Sequence, residues 1–325
     1  MTKFKKLWGL FFSLLFLWLA LRKLDLQAMA KVLSNIKHVY LLLFILSYTI
    51  ELATRAHRWM LIQSGVGFKY SFFGEILCYF FNNILPARAG EFFRPYYFAK
   101  KGLANSGKTL GAVVLERFFD GVMLFSMVLI SFQQFPNNDL LKKAGVIAGV
   151  FYSFIFIGIL LAILKKSLYK KITKFCVAFL PAKVKSFIFK LAIKFADGLS
   201  AIKNIKKLIK ILLSSALCWL SSVTTFWICF QAFSFEGNFI TSAFALTIMS
   251  LSSLIPASPG NLGVYEYFCI FIISNILGHT EEQGAAFSLI AHGLSYLYIL
   301  VAGVILLFME GIKLKDITAQ NQKDI

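Results

Sequence analysis

Twice in this chain an apolar run stops at a proline, passes through small residues and starts again, and the two interruptions match. The first reads Ile84-Leu85-Pro86-Ala87-Arg88-Ala89-Gly90 and runs on to Tyr97-Phe98. The second reads Leu254-Ile255-Pro256-Ala257-Ser258-Pro259-Gly260 and runs on to Tyr267-Phe268. A gapless shift of 170 residues lays Pro86 on Pro256, Ala87 on Ala257, Gly90 on Gly260 and Tyr97-Phe98 on Tyr267-Phe268. It also lays Gly67 on Gly237, and the apolar segment near 39–60 on the one near 211–230. Matching breaks in two halves of an apolar chain point to interrupted helices built around a shared site. An internal repeat with two broken-helix or re-entrant elements is therefore expected. Pro86, Pro256 and Pro259 would stop the helices, and Gly90, Gly260 and Gly263 would let backbones approach closely.

Hydrophobic residues make up 58% of the chain and mean hydropathy is +0.74, well outside the range of soluble domains. The spacing predicts an all-α, polytopic membrane protein, a single integral domain over 1–325. About eight transmembrane helices are expected, at Leu7–Leu21, Val39–Met60, Thr109–Phe132, Ala144–Leu164, Ile211–Phe233, Phe239–Ile255, Leu262–Leu277 and Ala285–Phe308. Tyr70–Leu85 and the two segments flanking Pro256–Asn261 are short for a hydrocarbon layer that needs about 20 helical residues. Irregular backbone at that depth is tolerated only where protein or a wet cavity surrounds it. The basic, apolar start could pass for a secretory signal. It has no small-x-small cleavage site, and Arg22-Lys23 follow the run directly, so a retained first helix is expected.

Charge orients the chain. Thirteen lysines and one acid, Asp197, lie between Lys165 and Lys210, which makes this segment cytoplasmic by the positive-inside rule. The Lys313/Lys315 tail reads the same way, whereas Ser234–Asn238 and Gly278–Gly284 read as external. Eight crossings with Tyr70–Leu85 re-entrant place both termini inside. Arg22, Lys23, Lys31 and Lys37 then fall in an outer loop, against the rule. Within the basic segment, Val184, Phe187, Ile188, Leu191, Phe195, Leu199, Ile202, Ile205 and Ile209 recur at helical spacing between lysines. That is the pattern of an amphipathic helix on an anionic lipid surface, interrupted near Asp197-Gly198, and not of a nucleic-acid-binding tract.

Other chemistries find little support. Cys78, Cys176, Cys218, Cys229 and Cys269 form no CxxC, and His38, His57, His279 and His292 form no HExxH. No P-loop, dinucleotide fingerprint or Gly-x-Ser-x-Gly elbow occurs. No cofactor or metal is expected.

The informative polar residues are charges inside apolar runs. Glu116, Arg117 and Asp120 lie within Thr109–Phe132; Glu51, Arg55 and Arg58 form a ladder near the end of the second run. Glu75 and Asn82-Asn83 line the first short segment, and Arg88, Glu91 and Arg94 follow its break. Each such charge costs roughly 2.5–3.5 kcal/mol at a bilayer centre on insertion scales, so these groups should face protein and pair. Two readings stay open: ion pairs that lock helices together, or a polar cavity that receives a charged headgroup.

Three stretches together resemble a known family: Asn83-Ile-Leu-Pro86-Ala-Arg88-Ala-Gly90-Glu91-Phe-Phe-Arg94, then Glu116-Arg117-Phe-Phe-Asp120, then Pro256-Ala-Ser-Pro259-Gly260-Asn-Leu-Gly263-Val-Tyr-Glu266. In this order they are similar to the signatures of the lysylphosphatidylglycerol synthase transmembrane, or flippase-like, family, over about 7–310. The resemblance implies an inner-membrane protein handling lipids. Bifunctional members move an aminoacylated phospholipid between leaflets and carry a soluble aminoacyltransferase domain, which is not expected in this chain. Arg88, Arg94 and Arg117 would hold a phosphate, while Glu91, Glu116, Asp120 and Glu266 would balance them or receive a cationic headgroup. Anionic or phosphate-bearing lipids, polyprenyl-phosphate-linked ones included, are the expected partners, with an envelope-lipid enzyme and a second copy of the chain left open. An intramembrane lipid-modifying transferase, with Glu116 or Glu266 as base, and a non-catalytic scaffold are the alternatives.

Overall fold

The computed structural model describes residues 13–22, 24–85, 88, 90–134, 165–182 and 205–312 without 254 and 256, together with scattered positions between 150 and 193. Among the described residues every regular element is helical. After a helical stretch at 13–21 (α1) come α2 (Leu26–Ser34), α3 (Val39–Ile62), α4 (Phe68–Ile84), α5 (Gly90–Lys100) and α6 (Ser106–Gln134). Then follow α7 (Lys166–Cys176), α8 (Ile205–Ala232), α9 (Phe239–Ser252), a 3-10 turn at Pro259–Asn261, α10 (Val264–Phe271), a π-turn at Ile272–Ile276 and α11 (Glu281–Met309).

The caps are local chemistry. Asp25 accepts the Gln27 and Ala28 N–H groups at the start of α2, at 2.8 and 3.2 Å. Asn238 accepts the Thr241 N–H at 2.9 Å to open α9, and Thr280 with Gln283 forms a reciprocal box at α11. Helices α3, α8 over Lys206–Ala232, and α11 are long and apolar enough to cross a bilayer. Their outer faces expose Leu42, Leu46, Leu213, Leu217, Val301 and Phe308, as expected where lipid replaces water.

Helices α3 and α8 form the central pair and run antiparallel. Lys37 N–H donates to the Ala232 carbonyl at 3.0 Å, so the start of α3 meets the end of α8. Farther along, Ser47 meets Thr225 at 2.8 Å, Arg55 meets Ser222 at 3.0 Å, and Lys207 Nζ reaches Ser64 at 3.0 Å.

Around this pair each half follows one path: a long helix, a shorter helix, a break, a short helix and a long helix. In the first half α3 packs on α4, α4 on α5 and α5 on α6; in the second, α8 packs on α9, α9 on α10 and α10 on α11. Across the halves α4 packs on α11 and α9 on α6, so each cross-contact has its counterpart.

Each short pair is a hairpin. A Cβ on Gly65, just before α4, would lie 3.9 Å from the Leu103 carbonyl, just after α5. Phe235, just before α9, stacks on His279, just after the π-turn, with centroids 4.2 Å apart. The α4–α5 hairpin therefore opens at the end of the molecule where α3 finishes, and the α9–α10 hairpin opens at the other end. Their tips meet: a Cβ on Gly260 would lie 3.6 Å from the Asn83 carbonyl, which also accepts the Tyr296 O–H of α11 at 3.1 Å, and Arg88 Nη1 donates to Ser253 Oγ at 3.2 Å. Thus Phe239–Ile255 and Leu262–Leu277, which read as two crossings in the sequence, are the arms of one hairpin. A chain that returns to its starting end leaves the parity of the remaining crossings unchanged.

Glycine is indispensable at Gly90, where a Cβ would sit 1.9 Å from the Cys78 carbonyl of the opposite arm. At Gly263, with φ 87°, a Cβ would sit 2.2 Å from the Ser13 carbonyl of α1. Pro86 and Pro256, the expected helix stops, lie outside the described residues, as do Asp197-Gly198, the Lys313/Lys315 tail and most of 144–164.

Candidate functional site

The first hairpin is clamped by a buried ionic network assembled from four helices. Arg58 of α3 bridges Glu116 and Asp120 of α6 at 2.9 and 2.6 Å. Arg94 of α5 bridges Glu75 of α4 and Glu116, each at 2.8 Å. Glu116 thus takes a guanidinium on each oxygen, and neither it nor Arg58 has any exposed side-chain surface. The Arg94 guanidinium also lies 4.3 Å from the Trp59 ring centroid, a favourable cation–π contact in a dry site. From the other half, Trp219 Nε1–H donates to Asp120 Oδ1 at 3.1 Å. Beside it, Glu51 and Arg55 pair along α3 at 2.9 Å and share Ser222 of α8.

The network has an open edge. Arg117 reaches Asp120 at 3.3 Å, Glu116 at 3.5 Å and Glu91 at 3.7 Å, with 35% of its side chain exposed. Arg88 reaches Glu91 at 3.3 Å with 46% exposed. Arg88 sits at the hairpin break in a left-handed conformation, φ 53°, which aims its side chain across the gap to Ser253. Between them, Glu91 is the carboxylate that both exposed guanidiniums touch.

Six of the seven residues singled out from sequence, Arg88, Glu91, Arg94, Glu116, Arg117 and Asp120, are joined in this one network. Arg58 and Arg94 pair with Glu75, Glu116 and Asp120 in the space between α3, α4, α5 and α6. One expectation needs correction: Glu266 does not join this network. Glu266 lies in the first turn of α10, where its Oε2 accepts the Gly263 N–H at 2.6 Å, and its Oε1 meets His292 Nδ1 at 2.6 Å. It belongs to α10, which packs on α11, whereas α6 packs on the other arm of that hairpin, α9. Of the glycines and prolines named as breaks, Pro259 and Gly260 form the 3-10 turn, and Gly263 caps α10.

Sequence reasoning left Arg58, Glu75 and His292 outside the site. The signal for Arg58 was present, since Glu51, Arg55 and Arg58 lie at i, i+4 and i+7 on one helix face. His292 gave none: a lone histidine in an apolar helix shows its partner only once α10 is folded beside it.

Residues 6–303 match the family described as the lysylphosphatidylglycerol synthase TM region. The chain belongs to this family. It is also similar to a UPF0104 membrane protein of Methanocaldococcus jannaschii, at 28% identity over 237 residues, covering 71% of this chain and 94% of the relative. No solved structure matches the chain. Family membership and the apolar helices make this a membrane-integral protein, and within the lysylphosphatidylglycerol synthase TM family it is the membrane region that the chain matches.

Proposed function

We propose that this family member binds the phosphate of an anionic membrane lipid at the open edge of the ionic network and carries the headgroup past the meeting hairpin tips. The observation that carries this reading is the contrast among the arginines. Arg58 and Arg94 are enclosed by carboxylates, while Arg88 and Arg117 present exposed guanidiniums on either side of Glu91, at the junction of the two halves. A guanidinium matches a phosphate bidentately, and a phosphate between these two would replace Glu91 as the shared acceptor. The first turn of α5 beyond Gly90, whose own N–H donates to Asn82 Oδ1 at 2.9 Å, adds backbone N–H donors on the same side.

Architecture supports transport. Antiparallel α3 and α8, with hairpins entering from opposite ends, are what an inverted repeat with its axis in the membrane plane would give, and such repeats place their sites at the midplane where broken helices meet. With the lysine-rich 165–210 segment in the cytoplasm of a plasma membrane, the α4–α5 hairpin enters from inside and the α9–α10 hairpin from outside. α7 would lie on the inner surface, its Lys170, Lys171 and Lys174 near anionic headgroups and its exposed Phe175 at the acyl boundary.

The test is reconstitution with labelled phosphatidylglycerol. Leaflet exchange that falls sharply in Arg88→Lys and Arg117→Lys, with folding intact, supports the reading. Full exchange in well-folded Arg88→Ala and Arg117→Ala overturns the phosphate clamp. New lipid species would assign the chain to lipid-modifying transferases instead.

A further inference from the structure

The second half holds one polar constellation that the lipid reading does not use. A small cavity of ≈ 50 Å³ opens where the halves join, lined by Tyr48 of α3, Tyr79 and Asn83 of α4, and His292, Ser295 and Tyr296 of α11. His292 connects this cavity to Glu266. Among the described carboxylates that form ion pairs, Glu51, Glu75, Glu91, Glu116 and Asp120 have arginine partners, and Glu310 has Lys101. These partners keep their charge at every physiological pH. Glu266 is paired with a histidine instead, the side chain type that ordinarily gains or loses its charge between pH 5 and 8.

The geometry assigns the proton positions. Glu266 Oε2 is committed as an acceptor of the Gly263 N–H, and an ionised Oε1 can only accept, so Nδ1 of His292 carries the hydrogen of that 2.6 Å bond. The lone pair is then on Nε2. A proton taken from cavity water forms one N–H bond at Nε2 and converts a partly buried single negative charge into a neutral imidazolium–carboxylate pair. Its return to water restores the charge.

From the structure we infer that the Glu266–His292 pair is a proton-binding site that couples proton uptake to the movement of the hairpin tips; this rests on the transport reading above. Glu266 caps the first turn of α10, so its charge acts on the second tip. One turn beyond His292, Tyr296 donates to the Asn83 carbonyl at the first tip at 3.1 Å, and Gly260 packs so close to that ring that a Cβ would lie 2.6 Å from it. The same helix face therefore holds the proton site and the contact between tips. Other titratable groups facing the pair are Tyr265, stacked on His292 at 4.2 Å, Tyr296 at 6.1 Å, and Tyr48 and Tyr79 across the cavity, with Cys229 and Cys269 behind Tyr265. None of these residue types ordinarily changes charge between pH 5 and 7. The described parts of α1 and α9 carry no titratable side chain, and Lys31 of α2, which packs on α11, is exposed.

Two measurements test the proposal separately. The chain has four histidines, so 15N-histidine spectra of the full-length protein in detergent identify His292 by the signal lost in His292→Gln. That signal should show the Nδ1–H tautomer at high pH, become imidazolium as pH falls from 8 to 5, and shift in Glu266→Gln. A signal that stays unchanged over this range overturns the proton site. In vesicles carrying labelled phosphatidylglycerol and an internal pH dye, wild-type exchange should change several-fold with an imposed pH gradient and be accompanied by proton flux, and His292→Gln should lose both. Exchange at the same rate at every pH overturns the coupling while leaving lipid transport standing. No exchange at any pH defeats the transport reading and the coupling with it, and the spectra still decide the proton site. Should His292→Gln fail to fold, Glu266→Gln, whose side-chain oxygen can still accept the Gly263 N–H, replaces it in both arms.

Discussion

Behind the first hairpin, α3 and α6 meet α4 and α5 through Arg58, Glu75, Arg94, Glu116 and Asp120, all buried. Behind the second, α8 and α11 meet through rings: Phe226, Phe230 and Phe235 surround Phe287, with centroids 5.1–5.8 Å away. The helical path is shared; rings also pack the first hairpin, with Phe81 and Phe93 centroids 4.1 Å apart, and among the described residues only the first half adds an ionic network of this size. Helix lengths and breaks follow from apolar run length and from where proline and glycine fall, which the halves have in common. The filling depends only on satisfying whatever is buried, and that can be done by dispersion or by charge. The difference matters mechanically. An ionic cluster fixes relative position through directed bonds, whereas an aromatic cluster can reshape its contacts at smaller cost. The first hairpin is therefore the rigid reference, and the second, whose one carboxylate is partly buried and held by a histidine, is the one suited to move.

The largest expected effect breaks this comparison most directly. Arg94→Ala leaves Glu75 and Glu116 short of a partner and should destabilise the protein by about 3–5 kcal/mol. Phe287→Met keeps the second cluster apolar and close in volume, and should cost under about 1.5 kcal/mol. Thermal unfolding in detergent measures both, and equal losses would erase the distinction between a directed and an adaptable core.

Next comes the close approach within the first hairpin. Gly90→Ala drives a methyl group into the Cys78 carbonyl, and overpacking of this kind typically costs about 1–3 kcal/mol. Gly67→Ala, at a site with nothing within 4 Å, should be close to neutral. A wild-type melting temperature for Gly90→Ala would mean that the arms of the hairpin are not as tightly apposed as described.

Smaller again is the contact between the tips. Tyr296→Phe removes only the hydrogen bond to Asn83, worth about 0.5–1.5 kcal/mol. It should leave the fold intact while loosening the first tip from α11, on whose Tyr296 ring Gly260 of the second tip packs, and hydrogen exchange at the start of α10 would register this. Unchanged protection there would show that the tips are not mechanically linked through Tyr296.

The smallest effect on stability belongs to the exposed edge. Arg88→Ala removes a partly exposed ion pair, worth about 0–1 kcal/mol, and Arg117→Ala leaves Glu116 and Asp120 their Arg58 partner, so both should melt closer to wild type than Arg94→Ala. A loss as large as that of Arg94→Ala would make these arginines struts like the others and take away the free guanidiniums on which lipid binding rests.

Much of this protein was legible in its residues. All-helical membrane character follows from long apolar runs, because a backbone buried in hydrocarbon must bond within its own helix. The first hairpin announced itself as a short segment before Pro86, whereas the two short segments around Pro256 were counted as crossings and only the structure folds them into a hairpin. Glu116 and Asp120, four apart in an apolar helix, had to share a face and find cations. Which cations they found was decided by tertiary structure: Arg58 and Arg94 lie 58 and 22 positions from Glu116 and reach it from different helices. Sequence spacing reports neighbours along one helix, and nothing in it measures the distance between helices. For the same reason Glu266, grouped with the other charges by its motif, proved to belong with His292, since only the packing of α10 on α11 brings the two within 2.6 Å.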